Sequence, residues 1–115
     1  MSETVSIKVL LAGMAKNGAS DLHLKVGLSP YYRVAGKLRR IASVEPFTTN
    51  DQIESVLEPI IPADRRAAYD QTGNLDFSYQ GASGDRYRVN VFRATGEMHA
   101  AIRRVQSRID RKSVV

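Results

Sequence analysis

The chain has no cysteine, which excludes a disulfide framework, thiolate chemistry and a cysteine-based zinc site. Its two histidines, His23 and His99, stand far outside the His-x-x-x-His spacing that puts two metal ligands on one helix face. No apolar run approaches the roughly 18 residues of a membrane span. The start, "MSETVSIKVLLAGMAKNGAS", lacks the basic opening and small-residue cleavage site of a secretory signal, so a soluble, cytoplasmic protein is expected. A G-x-x-x-x-G-K-[ST] phosphate loop is also missing: "GASGD" holds two glycines, but no Lys-Ser or Lys-Thr follows them. Nucleotide hydrolysis by the P-loop route is therefore not expected of this chain alone. "GLSPYY" is no nucleophile elbow, and no serine sits in a recognisable nucleophilic setting. No catalytic residue and no metal ligand is expected.

What is present is ordinary globular composition. A chain of 115 residues, 43% hydrophobic and 25% charged, is one domain, large enough to bury roughly two-thirds of its unfolded surface. The formal net charge is +5, and it comes from the C-terminal part. From Arg86 onward stand Arg86, Arg88, Arg93, Arg103, Arg104, Arg108, Arg111 and Lys112, against Glu97 and Asp110 alone. Such asymmetry implies an anionic partner or a solvated basic edge.

Ile7, Leu10, Leu11 and Met14 recur at helical spacing, and Asn17-Gly18 suits the helix end. From Asp21 to Val26 the period is two, which predicts a half-buried strand. A second strand is expected over Tyr31 to Ala35, with a tight turn at Gly36-Lys37 into a third, Leu38 to Ile41. Thr49 and Gln52 fit a capping box, with Asp51 at the positive end of the helix dipole and Ile53, Val56, Leu57 and Ile60 as the buried stripe. Pro62 suits the first turn of a helix "PADRRAAYDQT" ended by Gly73. Alternation returns at Leu75, Phe77 and Tyr79, then at Tyr87, Val89 and Val91. A last strand runs from about Met98 to Val105 after a turn at Thr95-Gly96. The order is one helix, three strands, two helices, three strands. It predicts an α+β domain: an antiparallel sheet of about six strands with helices mainly on one face.

Asp21 and His23 share one strand face, which suggests either an acid–base pair or polar positions tying down a strand edge. With no nucleophile in a recognisable setting, the structural role is expected. Arg88 lies opposite Tyr87 and Val89, and Arg103 is set in the mostly apolar "HAAIRRV". Guanidinium groups on rigid strands suit bidentate contact with phosphate or carboxylate; a sheet face merely decorated with arginine is the competing explanation.

The runs "ASDLHLKVGLSPYYRVAGKLRRI", "GNLDFSYQ", "RYRVNVFR" and "AAIRRV", in that order and separation, resemble the N-terminal domain of type IV pilus retraction ATPases, the PilT-like branch of the secretion ATPase superfamily. The resemblance covers Ile7 to Ile109. It implies a PAS-like domain preceding a RecA-like ATPase domain that carries ATP and magnesium. It also implies a homohexamer at the inner face of the cytoplasmic membrane, working on a pilus platform protein in twitching motility. In that family this domain packs on a neighbouring subunit and closes over the nucleotide. Carried over by motif position, Arg88 and Arg103 are the phosphate-contacting arginines, with Arg104 interchangeable with Arg103 if the register slips by one. Asp21, His23, Arg33, Gly36 and Asn90 fall on signature structural positions.

Residues 1–109 are thus read as the PAS-like domain. The last six, "DRKSVV", match one reading frame of a common sequencing adapter, so residues 110–115 are expected to be an artefact, with the native chain running on into the ATPase domain. Without Asp110, Arg111 and Lys112 the net charge falls by one to about +4, so the basic character survives. The alternative function is a free-standing PAS-like module whose arginine strands bind nucleic acid or an acidic protein. Against nucleic acid, Tyr87 and Phe92 form no clear aromatic pair beside the basic residues, so no nucleic-acid partner is expected.

Overall fold

The computed structural model of the chain describes residues 6–81 and 84–105; the tail 110–115 lies outside them. Helix α1 (Ile7–Asn17) starts where the Ser6 hydroxyl accepts from the Lys8 amide, and stops at Gly18, whose φ of 68° is the left-handed cap glycine adopts without strain. Strands β1 (Ala19–Lys25), β2 (Tyr31–Val34) and β3 (Lys37–Arg40) form a meander. Helix α2 (Asn50–Leu57) carries the expected capping box: the Gln52 amide donates to Thr49 Oγ1 at 3.2 Å, and the Gln52 side chain accepts from the Thr49 amide. A 3-10 turn over Glu58–Ile60 follows. Strands β4 (Asn74–Gln80), β5 (Arg86–Ala94) and β6 (Glu97–Val105) close the sheet.

Two local expectations shift. The first hairpin turns on Ala35 and Gly36, with φ of 54° and 81°, one residue before the expected Gly36-Lys37. A two-residue turn with both centres at positive φ matches strand twist, and it lets Val34 pair with Lys37, so β3 begins there. The run after Pro62 is not one helix. A 3-10 turn, Ala63–Arg65, precedes α3 (Arg66–Thr72), because Arg65 (φ −100°, ψ −10°) leaves regular helical geometry before α3 begins. Gly73 ends α3 in the left-handed region, as expected.

The sheet order is β3-β2-β1-β6-β5-β4, antiparallel throughout. Strands from the two ends of the described chain therefore meet at its centre. One face carries Leu22, Leu24, Tyr32, Leu75, Phe77, Tyr87, Val89, Val91, Met98, Ala100 and Ile102 into a single core with Ile7, Leu10, Leu11 and Met14 of α1 and Ile53, Val56 and Leu57 of α2. Burying a side chain of this size contributes about 1.5–3 kcal/mol. Helix α1 packs on β1, α2 on β6 and α3 against β4. Tyr32 Oη donates to the Leu10 carbonyl at 2.7 Å, tying β2 to α1. Position 13 must be glycine for that contact, since a Cβ there would collide with the Tyr32 hydroxyl. The opposite, open face of the sheet carries mainly the polar members of each alternation and, among the described residues, has no helix packed on it.

Candidate functional site

Pairing register assembles the open face. Arg33 of β2 opposes Asp21 of β1, Asp21 opposes Arg103 of β6, Arg103 opposes Arg88 of β5, and Arg88 opposes Ser78 of β4. The next row reads Tyr31, His23, Ala101, Asn90 and Asp76. Residues distant in sequence thus stand side by side, held by hydrogen-bonded strands rather than loops.

The centre of this face is the pair Arg88 and Arg103. Their side chains are 65% and 69% exposed. Each has one carboxylate near it: Arg88 Nη2 lies 4.0 Å from Asp76 Oδ2, and Arg103 Nε lies 3.5 Å from Asp21 Oδ2. Like charges directly opposite on neighbouring strands are destabilising, and ion pairs to guanidinium groups this exposed return only about 1 kcal/mol each. The short side chain of Ala101 leaves a hollow of about 320 Å³ between them, lined by Asp21, Asp76, Arg88, Asn90, Ala101 and Arg103. Chemically it is a pair of donor forks able to grip a group with several anionic oxygens.

Arg104 is set apart from this pair. Strand alternation turns it to the helix-covered face beside Tyr87, where its side chain is 16% exposed and Nε lies 3.0 Å from Asp85 Oδ2. Arg33 stands on the open face, but its Nη1 donates to the Gly36 carbonyl at 3.4 Å, across the turn that Gly36 allows. Asn90 bridges β5 to β4 through Asn74 Oδ1 at 3.0 Å and the Leu75 carbonyl at 3.4 Å.

Asp21 and His23 are adjacent on the open face without forming a catalytic array. The Asp21 carboxylate, 14% exposed, accepts from the Ser20 hydroxyl at 2.6 Å through Oδ1 and turns Oδ2 to Arg103. The His23 ring stacks on Tyr31 with centroids 5.1 Å apart. Burial lowers the His23 pKa below 6.5; the Asp21 charge opposes that shift and Arg33 adds to it. Among the described residues no three His, Asp or Glu side chains gather for a metal ion, and no helix is long and apolar enough to cross a membrane.

Two members of the site were missed by sequence reasoning. Asp76 and Ala101 line the hollow, yet only the register β1–β6–β5–β4 brings them there. The alternation around Leu75 and Phe77 marks Asp76 as outward-facing and says nothing of its neighbour. For Arg104 a signal existed: counting parity from Met98, Ala100 and Ile102 turns residue 103 outward and residue 104 inward.

The chain is an α+β domain with one sheet face packed under helices and the other presenting exposed cations. No family model matches the chain. It is 35% identical over 105 residues to the type IV pilus retractation ATPase PilT of Pseudomonas aeruginosa, covering 91% of this chain and 30% of that protein. YggR, an uncharacterized protein of Escherichia coli K12, is 28% identical over 103 residues, 90% of this chain and 30% of its own length. Among solved structures, the pilus retraction motor PilT with bound ADP superposes with a TM-score of 0.81 at 26% identity, over 90% of this chain and 30% of that one. The Legionella pneumophila ATPase DotB superposes at 0.70 over 90% of this chain and 30% of its own; at 18% identity it shows the fold alone. In sequence and in fold, the chain is similar to the N-terminal part of PilT. It spans about 30% of the length of the curated relatives it matches.

Proposed function

We propose that this chain is the N-terminal, nucleotide-closing domain of a hexameric type IV pilus retraction ATPase. In that role it packs against the ATPase domain of a neighbouring subunit. Arg88 and Arg103 then reach the phosphates of ATP, whose magnesium and phosphate loop belong to the ATPase domain. The whole motor acts at the inner face of the cytoplasmic membrane on the pilus platform protein, driving retraction and twitching motility.

The observation that carries the reading is the Arg88–Arg103 pair: two exposed guanidinium groups directly opposite each other on central strands. Such a pair is unfavourable by itself and becomes favourable once a polyanion enters between the two. Cations on a rigid element that swings in complete a phosphate site built elsewhere, as an arginine finger does.

The test is a chimera in which this chain replaces the matching region of the Pseudomonas aeruginosa relative, ahead of that protein's own remaining sequence. ATP turnover is expected to fall about tenfold or more with Arg88→Ala or Arg103→Ala, with hexamer formation and melting temperature retained. Unchanged turnover in both variants overturns the reading. Steeply salt-dependent binding of oligonucleotides by the chain itself would favour the nucleic-acid module instead.

A further inference from the structure

Asp21 differs from the other carboxylate of the hollow. Asp76 is exposed and lies 4.0 Å from its arginine. Asp21 is mostly buried, and both of its oxygens are engaged. The cause is a bulge: the β1–β2 register slips between Ala19 and Asp21, placing Ser20 at the irregularity. From there the Ser20 hydroxyl donates to Asp21 Oδ1 at 2.6 Å, fixing the rotation of the carboxylate so that Oδ2 points along the sheet to Arg103 Nε at 3.5 Å. Asp21 has an arginine on each neighbouring strand, since it also opposes Arg33. Arg33 turns its guanidinium to the Gly36 carbonyl. The ion pair of Asp21 is with Arg103.

We infer that Asp21 is a positioning residue: oriented by Ser20 at the β1 bulge, it holds Arg103 on the open face beside Arg88, so that the two guanidinium groups meet an incoming phosphate group as a pair. The inference rests on the proposed role of Arg103. Pairing at Nε leaves the outer Nη1 and Nη2 edge of the guanidinium free to donate outward. A side chain with four rotatable bonds, 69% exposed, would otherwise spread over many rotamers and lose entropy on binding. Arg88, 4.0 Å from the exposed Asp76, is held more loosely and is the member freer to adjust. Misplacing a contact group by a fraction of its length acts on the transition state more than on ground-state binding.

Asp21→Asn is the test variant, because asparagine keeps an oxygen for the Ser20 hydroxyl and removes only the charge that orients Arg103. Two readouts apply. In the 115-residue chain, nitrogen-15 NMR of arginine Nε–H groups should show the Arg103 signal shifting and broadening in Asp21→Asn while the Arg88 signal stays. In the chimera, kcat should fall about three- to tenfold with KM for ATP changed less than twofold, and Asp21→Asn should add nothing in the Arg103→Ala background. Asp21→Glu, which keeps the charge on a longer arm, should recover part of the loss.

An unmoved Arg103 signal overturns the inference. So does an equal loss in both backgrounds, or a loss that follows the melting temperature, since either marks a purely structural residue. If Arg103→Ala lowers turnover and Asp21→Asn does not, the positioning role alone fails. If Arg103→Ala has no effect on turnover, the proposed function of the arginine fails, and the positioning role falls with it.

Discussion

Arg103 and Arg104 are consecutive, yet the first is mostly exposed on the open face and the second is paired to Asp85 on the covered one. Extended backbone alone separates them, because successive side chains leave a strand on opposite sides. His23 shows the same logic with a titratable ring. It lies on the open face, but stacking on Tyr31 and burial between β2 and β6 remove enough water to favour the neutral form. Its folded pKa therefore lies below 6.5, near which the unfolded chain titrates. Between those values the unfolded state binds more protons, so stability rises with pH through that window and is lost as pH falls through it. Urea unfolding at a series of pH values from 5 to 7.5 should show this slope, and His23→Gln should flatten it. A direct NMR titration of the ring should give a value under 6.5, lower still in Asp21→Asn, where the opposing charge is gone. A slope that survives His23→Gln would assign the dependence to other groups.

At the scale of elements, caps and turns were legible where the residue type itself announces the geometry. Thr49 with Gln52, Asn17-Gly18 and Thr95-Gly96 all act where the sequence places them. The first hairpin was misplaced by one residue because its first centre is Ala35, and alanine gives no sign of the positive φ it adopts. Long-range side-chain ties were not legible at all. Asn50, the first residue of α2, donates through Nδ2 to the Gly96 carbonyl at 3.0 Å and accepts from the Met98 amide through Oδ1 at 2.9 Å. It clamps the β5–β6 hairpin to the start of α2, and nothing in "TTNDQ" points to residues 96 and 98. Asn50→Ala should cost about 1–3 kcal/mol, because the Met98 amide loses its acceptor while half-buried. Hydrogen exchange should accelerate most at Met98. Asn50→Asp, which keeps the acceptor and loses the donor, should cost less. Equal losses in the two variants would mean that the Gly96 contact, not the Met98 amide, holds the hairpin.

For the molecule as a whole, the number and order of elements followed from periodicity, while the sheet order did not. Each strand advertises its own buried face, but Leu22 and Ile102, partners across β1 and β6, are 80 positions apart and carry no mark of one another. That pairing sets the site, because it puts Asp21 beside Arg103, and it also sets the cooperativity of the fold. Strand β6 is hydrogen-bonded to β1 on one side and β5 on the other, and it buries Met98, Ala100 and Ile102. Without it, β1–β2–β3 and β4–β5 remain as two separate pieces with their apolar faces half-covered. An isolated two-stranded piece is marginal in water, and the three-stranded piece loses the β6 residues that complete its core. A chain ending at Gly96 should therefore show no cooperative urea transition by circular dichroism, in contrast to the 115-residue chain. The shortened chain should recover a transition when a peptide of residues 97–115 is added back. A cooperative transition in the shortened chain alone would mean that one of the two pieces folds by itself, and that the central β1–β6 seam joins two preformed halves rather than creating the domain.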